Sequence, residues 1–331
     1  MNNKNQLMKI IRSILISITL LIMLAIQSCN CDCPTPSEES ISQYKLDKVV
    51  VEINTTNVST GLETVFAHTI FDSASRAHLC QIFVDDARFF TDESGYFFIE
   101  TLDSAWVVAH INHDLIGTKR INISDENGKF FIKEMVETVN FIGHGFVEYY
   151  RRNPVTDVVE RKMSFVTSIP SANWFIGTGF YGGPSSMFYS IIESNNIILK
   201  EVTTTVAKGI SGVFSDIYST DEDRIAFCRD FIDHIRFFDD GEGYFFINDF
   251  NGINIAHGAD TSHQGHDDYN LQDSHGAYII RDMIEIAETE GSGYYDYFWV
   301  NPVSGKEEKK ITHVVRIPDT DYFIGAGYYL N

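Results

Sequence analysis

Positive charge is scarce in this sequence: 25 Lys and Arg stand against 46 Asp and Glu, a formal net charge of −21. A nucleic-acid binder needs a basic face, and anionic lipid headgroups need a basic cluster to dock on. The sequence has no such cluster outside its first residues, so nucleic acid is not an expected partner. Cysteine is also scarce. Of five, Cys29, Cys31 and Cys33 crowd the run "CNCDCP", and Cys80 and Cys228 stand alone. That pattern makes no disulfide framework, and Cys31 and Cys33 lack the second ligand pair of a zinc site. Catalytic signatures are missing as well: there is no nucleophile elbow, no His-Glu-x-x-His and no pair of acids that recurs in a recognisable catalytic spacing. Neither an enzyme activity nor a cofactor is expected. The apolar run Ile14–Ile26 has 13 residues, short of the roughly 20 that a membrane-spanning helix requires.

That short run fits a secretory signal, with Lys4, Lys9 and Arg12 as its positive region. It leads into Ile26-Gln27-Ser28-Cys29, which resembles the lipobox of bacterial lipoproteins, where a small residue precedes a lipidated cysteine. The resemblance implies a signal peptide over 1–28, lipidation of Cys29 and a linker over 29–45. It also implies a lipid anchor in the cell envelope, facing the periplasm or exterior.

What the sequence does have is a long repeat. "GYFFI" occurs at Gly95–Ile99 and at Gly243–Ile247, in each case after an Arg-Phe-Phe, and the two occurrences lie 148 positions apart. The same offset relates Cys80 to Cys228, Asp125 to Asp273, Asn153-Pro154 to Asn301-Pro302, Lys162 to Lys310 and "FIGTGFY" to "FIGAGYY". A period of this length marks a duplicated domain, where solenoid repeats run to 20–50 residues. Domains are expected over 46–185 and 186–331, each folding on its own core, with 187–208 joining them.

Each copy reads as helix, two strands, loop, helix and three strands. Cys80 and Cys228 fall on helical apolar stripes and read as small buried hydrophobes. The second helix shows 3.6-residue spacing in Ile132, Met135, Val136 and Val139, and again in Ile280, Met283, Ile284 and Ala287. Asp125 and Asp273 lie upstream as capping candidates. A hairpin turns at 154–157. The fold class expected is α+β, an antiparallel sheet with its helices segregated.

At this point the residues resemble the Cache family of extracytoplasmic sensor modules. The resemblance rests on "RFFTDESGYFFI", "DENG", "GHGFVEYYRRNP" and "NWFIGTGFY" in the first copy, and on "GYFFINDFNG", "LQDSHG", "GSGYYDYFWVNP" and "YFIGAGYY" in the second. It implies two tandem PAS-like modules, each an antiparallel sheet with a long N-terminal helix and a short helix over a pocket. It also implies a small ligand, such as a carboxylate or amino acid, and signalling through a membrane sensor kinase, chemoreceptor or transporter. The sequence runs to Asn331 without an output domain, so the expectation is a sensor lipoprotein that hands its signal to such a partner. A solute-binding protein for uptake is the alternative.

The turn centre places Tyr149 opposite Lys162 and Tyr297 opposite Lys310, with Arg151 and Trp299 two residues along on the same face. A cation beside a phenol suits a carboxylate, because charge-assisted hydrogen bonds are the stronger ones. His110, His257, Tyr96, Tyr244 and Trp174 complete the candidate ligand-binding set. On the plain reading, Lys162 pairs with Glu148 or Glu160 on a solvated face, and His110 is a core histidine. The His-rich loop 257–275 gathers His257, His263 and His266 with Asp260, Asp267 and Asp268. A metal-binding lipoprotein is a further alternative on that ground, although the first copy lacks the cluster and no specific metal site is expected.

Overall fold

The computed structural model describes residues 40–330 apart from residues 70 and 239. The signal segment, Cys29 and the other two cysteines of "CNCDCP" lie outside the described residues.

Each copy begins with a long helix, α1 over Gln43–His68 and α4 over Ile191–Asp216. The first starts at Ser42, whose side chain accepts from the Lys45 N–H. The second starts at a capping box in which Ser190 and Glu193 satisfy each other's backbone N–H groups. The segment 187–208, expected to be a joining piece, is therefore mostly helix, and the repeat reaches back to the equivalent helix at Gln43. Shorter helices follow, α2 over Ser73–Asp86 and α5 over Asp221–Ile232, capped by Asp72 and Thr220.

The first sheet contains β1 (Phe97–Thr101), β2 (Val107–His110), β3 (His144–Arg152), β4 (Val159–Ile169) and β5 (Trp174–Tyr181). All its pairings are antiparallel, in the order β2-β1-β5-β4-β3. The second sheet repeats this with β6 (Phe245–Asp249), β7 (Asn254–His257), β8 (Ser292–Val300), β9 (Glu307–Arg316) and β10 (Tyr322–Leu330), in the order β8-β9-β10-β6-β7. One helix lies on the outer face of each sheet, α3 over Phe131–Ile142 and α6 over Ile279–Thr289. Neither has a side-chain cap. Asp125 and Asp273, the expected caps, instead accept from the Tyr150 and Phe298 N–H groups at 3.0 Å. They tie the loop before each helix to an edge strand, whose outward-facing N–H groups have no neighbouring strand.

The repeated Arg-Phe-Phe and GYFFI stretches meet as a tight corner. Phe89 bridges Gly95 and Phe237 bridges Gly243, and a Cβ on either glycine would lie 2.5 Å from the phenylalanine ring.

The helices α1, α2, α4 and α5 form a layer between the two sheets. Their buried faces join the inner faces of both sheets in one continuous apolar cluster, contrary to the expectation of two separate cores. At its centre the Phe83 and Phe231 rings stack 5.2 Å apart, and these residues are themselves related by the 148-residue offset. Phe231 covers Gly61 and Phe83 covers Gly209; a Cβ on either glycine would sit 2.4–2.8 Å from the ring atoms. The close approach requires glycine on both sides. Cys80 and Cys228 are buried free thiols in this layer. Two smaller clusters lie on the outer faces under α3 and α6.

Candidate functional site

The outer face of each sheet, roofed by α3 or α6, carries most of the expected site residues. In the first module the Tyr149–Lys162 register is as the turn centre implies, but the two side chains do different things. Tyr149 stacks on Phe131 with ring centroids 4.2 Å apart and shares a 3.0 Å hydrogen bond with Ser164. Lys162 is fully buried, with Nζ 3.7 Å from the Tyr96 ring centroid and 3.4 Å from the Tyr181 hydroxyl. It is neither the solvated partner of Glu148, which pairs with Arg161, nor a charge lining the cleft. Burial lowers the Lys162 pKa. Burial raises that of the Tyr96 phenol, but Lys162, the Tyr181 hydroxyl and Arg151 together outweigh it and bring the group down to about 8.

Above this floor opens a cleft of about 330 Å³ whose walls include Tyr96, His110, Asn112, Leu115, Arg151 and Arg152. The His110 Nδ1 accepts from the Asn112 N–H at 2.8 Å. Burial, with Arg120 next, pushes the imidazole down to about 3. A neutral ring engaged at Nδ1 carries its proton on Nε2, which makes it a donor. Arg151 reaches over the Phe131 ring at 5.9 Å, and among the described residues it forms no ion pair. Behind it, Arg120 and Glu100 form a buried 2.7 Å pair. Burial raises the Glu100 carboxyl to about 7, against the pull of Arg120.

Trp174 does not belong to this face. It alternates to the inner side of β5 and meets Phe66 of α1 edge-on at 6.3 Å. The strand period of two assigns it to the helix layer.

In the second module Tyr297 and Lys310 again pair in register. Lys310 is fully buried, with Nζ 3.8 Å from the Tyr244 ring centroid and no hydrogen-bond partner. Burial depresses its pKa. Tyr244 in turn lies 3.3 Å from the Tyr329 hydroxyl, so neither Lys310 nor Tyr244 lines an opening. The residues that do include His257, Tyr297 and Trp299, around a slot of about 20 Å³. In the His-rich loop the His263 Nδ1 lies 3.2 Å from Asp268, and the His257 Nδ1 accepts from the Asp260 N–H at 2.9 Å. Among the described residues no three His, Cys, Asp or Glu side chains converge as metal ligands.

Several residues around these openings lay outside the candidate ligand-binding set, among them Glu100, Arg120, Asn248, Asn254 and Asp268, the last named only with the His-rich loop. The signal for them was the repeat itself. At the 148-residue offset Glu100 aligns with Asn248 and Arg120 with Asp268, and a change of charge between copies marks positions where the modules differ in chemistry.

A larger groove of about 580 Å³ runs beside α1 and α4, with Glu52, Asn57, Asn195 and Arg236 among its walls. It is open and faces none of the residues just described.

Two family models match the chain in tandem: "Single Cache domain 2" over residues 67–183 and "Cache domain" over residues 192–331. The sensor histidine kinase MctS of Rhizobium johnstonii is 33% identical over 90 residues. Those residues are 27% of this chain and 19% of the kinase, so the match spans about a fifth of that relative's length. A crystal structure of a methyl-accepting chemotaxis protein from Vibrio parahaemolyticus is 23% identical, covering 43% of this chain and 92% of that one, with a TM-score of 0.36. A Cache chemosensory domain, described for its recognition of carboxylic acid, is 20% identical and covers 42% of this chain and 92% of its own, with a TM-score of 0.34. Among the described residues no helix is long and apolar enough to cross a membrane. The chain belongs to the Cache family, as two Cache domains in tandem, modules that serve as extracytoplasmic ligand sensors.

Proposed function

We propose that the chain is an extracytoplasmic sensor lipoprotein whose first module binds a small carboxylate in the cleft between Tyr96, His110 and Arg151. The observation that carries this is Arg151: a guanidinium held over an aromatic ring at the cleft wall, with no carboxylate of its own among the described residues. Arg presents a planar fork of donors that matches a carboxylate in two parallel hydrogen bonds. The His110 Nε2–H and the Tyr96 hydroxyl supply further donors beside it. Occupancy passes to a membrane partner such as a sensor kinase or chemoreceptor, in keeping with the stretch shared with a sensor histidine kinase.

A ligand present at 100 times its dissociation constant stabilises the folded state by about 2.7 kcal/mol, a melting shift that a thermal screen detects. A panel of small mono- and dicarboxylates is expected to contain a compound that raises the melting temperature of the intact chain. Arg151→Ala should then weaken its binding by at least about tenfold, the loss expected for a charge-assisted hydrogen bond. No shift across the panel, or a shift untouched by both Arg151→Ala and Tyr96→Phe, would rule the site out. The lipid anchor is a separate claim. Intact mass after expression in a lipoprotein-processing host should show loss of 1–28 and a diacylglycerol adduct on Cys29. An unprocessed mass there would remove it.

A further inference from the structure

Exposed apolar side chains gather where the second long helix starts. Met187, Phe188, Ile191 and Ile192 are each about half exposed, and they flank Ser190, the N-cap of α4. Single apolar residues are ordinary on a protein surface, but four within six positions make a patch. Tyr189, between them, packs inward against the shared cluster.

The repeat shows that the fold does not require these residues. Ser190 aligns with Ser42, the N-cap of α1, and at the same offset Met187, Phe188, Ile191 and Ile192 align with Glu39, Ser40, Gln43 and Tyr44. Each of those carries a polar group where the second copy is apolar. Both helices are nevertheless built alike, 26 residues long and capped by their serine. The chain's own core therefore does not account for the patch.

Charge around it is low. The first turn of α1 has no acid, and Lys45 there is exposed. Glu193, the acid in the first turn of α4, is turned back on the cap, where it accepts from the Ser190 N–H at 2.9 Å and the Ser190 hydroxyl at 2.8 Å. An apolar surface with its acid withdrawn suits the boundary between lipid headgroups and acyl chains, and a lysine at its margin can keep its ammonium at the headgroups.

The patch also lies where the chain enters the fold. The Gln43 N–H at the start of α1 donates to the Met187 carbonyl at 2.9 Å. Eleven residue steps separate Cys29 from Ser40, a stretch that spans at most about 40 Å. A lipid on Cys29 therefore holds this end of the helix layer near the bilayer, while α1 and α4 run for roughly 39 Å beyond it.

We propose that Met187, Phe188, Ile191 and Ile192 seat the molecule on the lipid surface to which it is anchored, so that both long helices start at the membrane. The seat takes from the proposed function only the anchor at Cys29, and it does not depend on a carboxylate in the first cleft.

The mature chain, with an N-terminal hexahistidine in place of the lipidated Cys29, can be held on phosphatidylcholine vesicles that contain a nickel-chelating lipid. Hydroxyl-radical footprinting then compares side-chain exposure on the vesicles and free in solution. Met187, Phe188, Ile191 and Ile192 are expected to lose most of their labelling on the vesicles, while Phe141 and Ile142, exposed on α3, keep theirs. A chain carrying Phe188→Ser, Ile191→Gln and Ile192→Ser should keep its melting temperature in solution and regain Met187 labelling on the vesicles. If that variant melts early, the footprint of the parent chain still decides. Met187 labelled equally with and without vesicles, or Met187 and Phe141 protected alike, overturns the proposal. So does protection that appears without vesicles and grows with protein concentration, which would make the patch an interface between copies. The nickel tether bypasses Cys29, so a failed footprint counts against the seat and an unprocessed mass counts against the lipid.

Discussion

At the scale of single residues, the two lysines that recur in the repeat are the side chains whose environment departs most from what their neighbours in sequence suggest. Lys310 is fully buried with an unpartnered Nζ, and burial depresses its pKa. An unfolded chain carries this lysine protonated up to its ordinary value near 10.5. Folding must release that proton or bury the charge. A group with a depressed folded pKa adds stability as pH rises toward the unfolded value, and withdraws it as pH falls. At neutral pH the lysine is therefore a net cost to the fold, and Lys310→Met, similar in shape and without the polar group, should raise stability by about 1–3 kcal/mol. The gain should shrink as the pH approaches the unfolded value. Lys162→Met should gain less, because both ammonium groups lie against a tyrosine ring but only Lys162 also has a hydroxyl partner, Tyr181. Denaturant melts at pH 7 and 10 check both, and a less stable Lys310→Met chain would show that the buried ammonium is favourable after all.

At the scale of elements, the strands and the outer helices were legible in their residue patterns, whereas the long N-terminal helices followed only from the family resemblance. Residues such as Ile132, Met135, Val136 and Val139 make an apolar stripe because α3 packs on a sheet across one narrow seam. The long helices α1 and α4 bury Asn54, Thr55, Asn57, Ser59 and Thr64, or Thr203, Thr205 and Ser211, between neighbours on several sides. Small polar residues allow close helix approach and return their hydroxyls to their own backbone, as Thr55 does to Val51 and Thr203 to Leu199. That removes the hydrophobic periodicity by which a helix is recognised in sequence. The site was legible in part. Hairpin register correctly set Tyr149 against Lys162 and Tyr297 against Lys310, since the turn fixes it. Register says which face a side chain takes, but not the depth at which it stops. Lys162 thus became a floor residue while Arg151, two positions from Tyr149, reached the opening. Trp174 failed for the complementary reason: its place at the first position of β5 turned it to the inner face, and only the strand's parity revealed that.

At the scale of the whole molecule, the helix layer joins the modules through contacts that each module makes twice, once from each side. The second module alone, residues 186–331, would expose the face of α4 and α5 that α1 and α2 cover, including Phe231. That fragment is expected to fold only by pairing with another copy of itself. Its melting temperature should rise with protein concentration, and sedimentation should show a dimer. A monomeric fragment with a cooperative, concentration-independent melt would mean that the shared cluster is dispensable.

The stacked Phe83 and Phe231 have a consequence in terms of mass action. Two separate subunits that met through such a face would be held together only above their dissociation constant, and dilution into a large periplasmic or external volume would part them. Covalent continuity replaces that bimolecular encounter with an effective concentration set by the connecting chain, of millimolar order for short links. The intact chain should therefore keep the same transition midpoint over a hundredfold dilution, whereas an untethered pair would not. A chain so tethered keeps its two modules paired at a single copy, always in a one-to-one ratio.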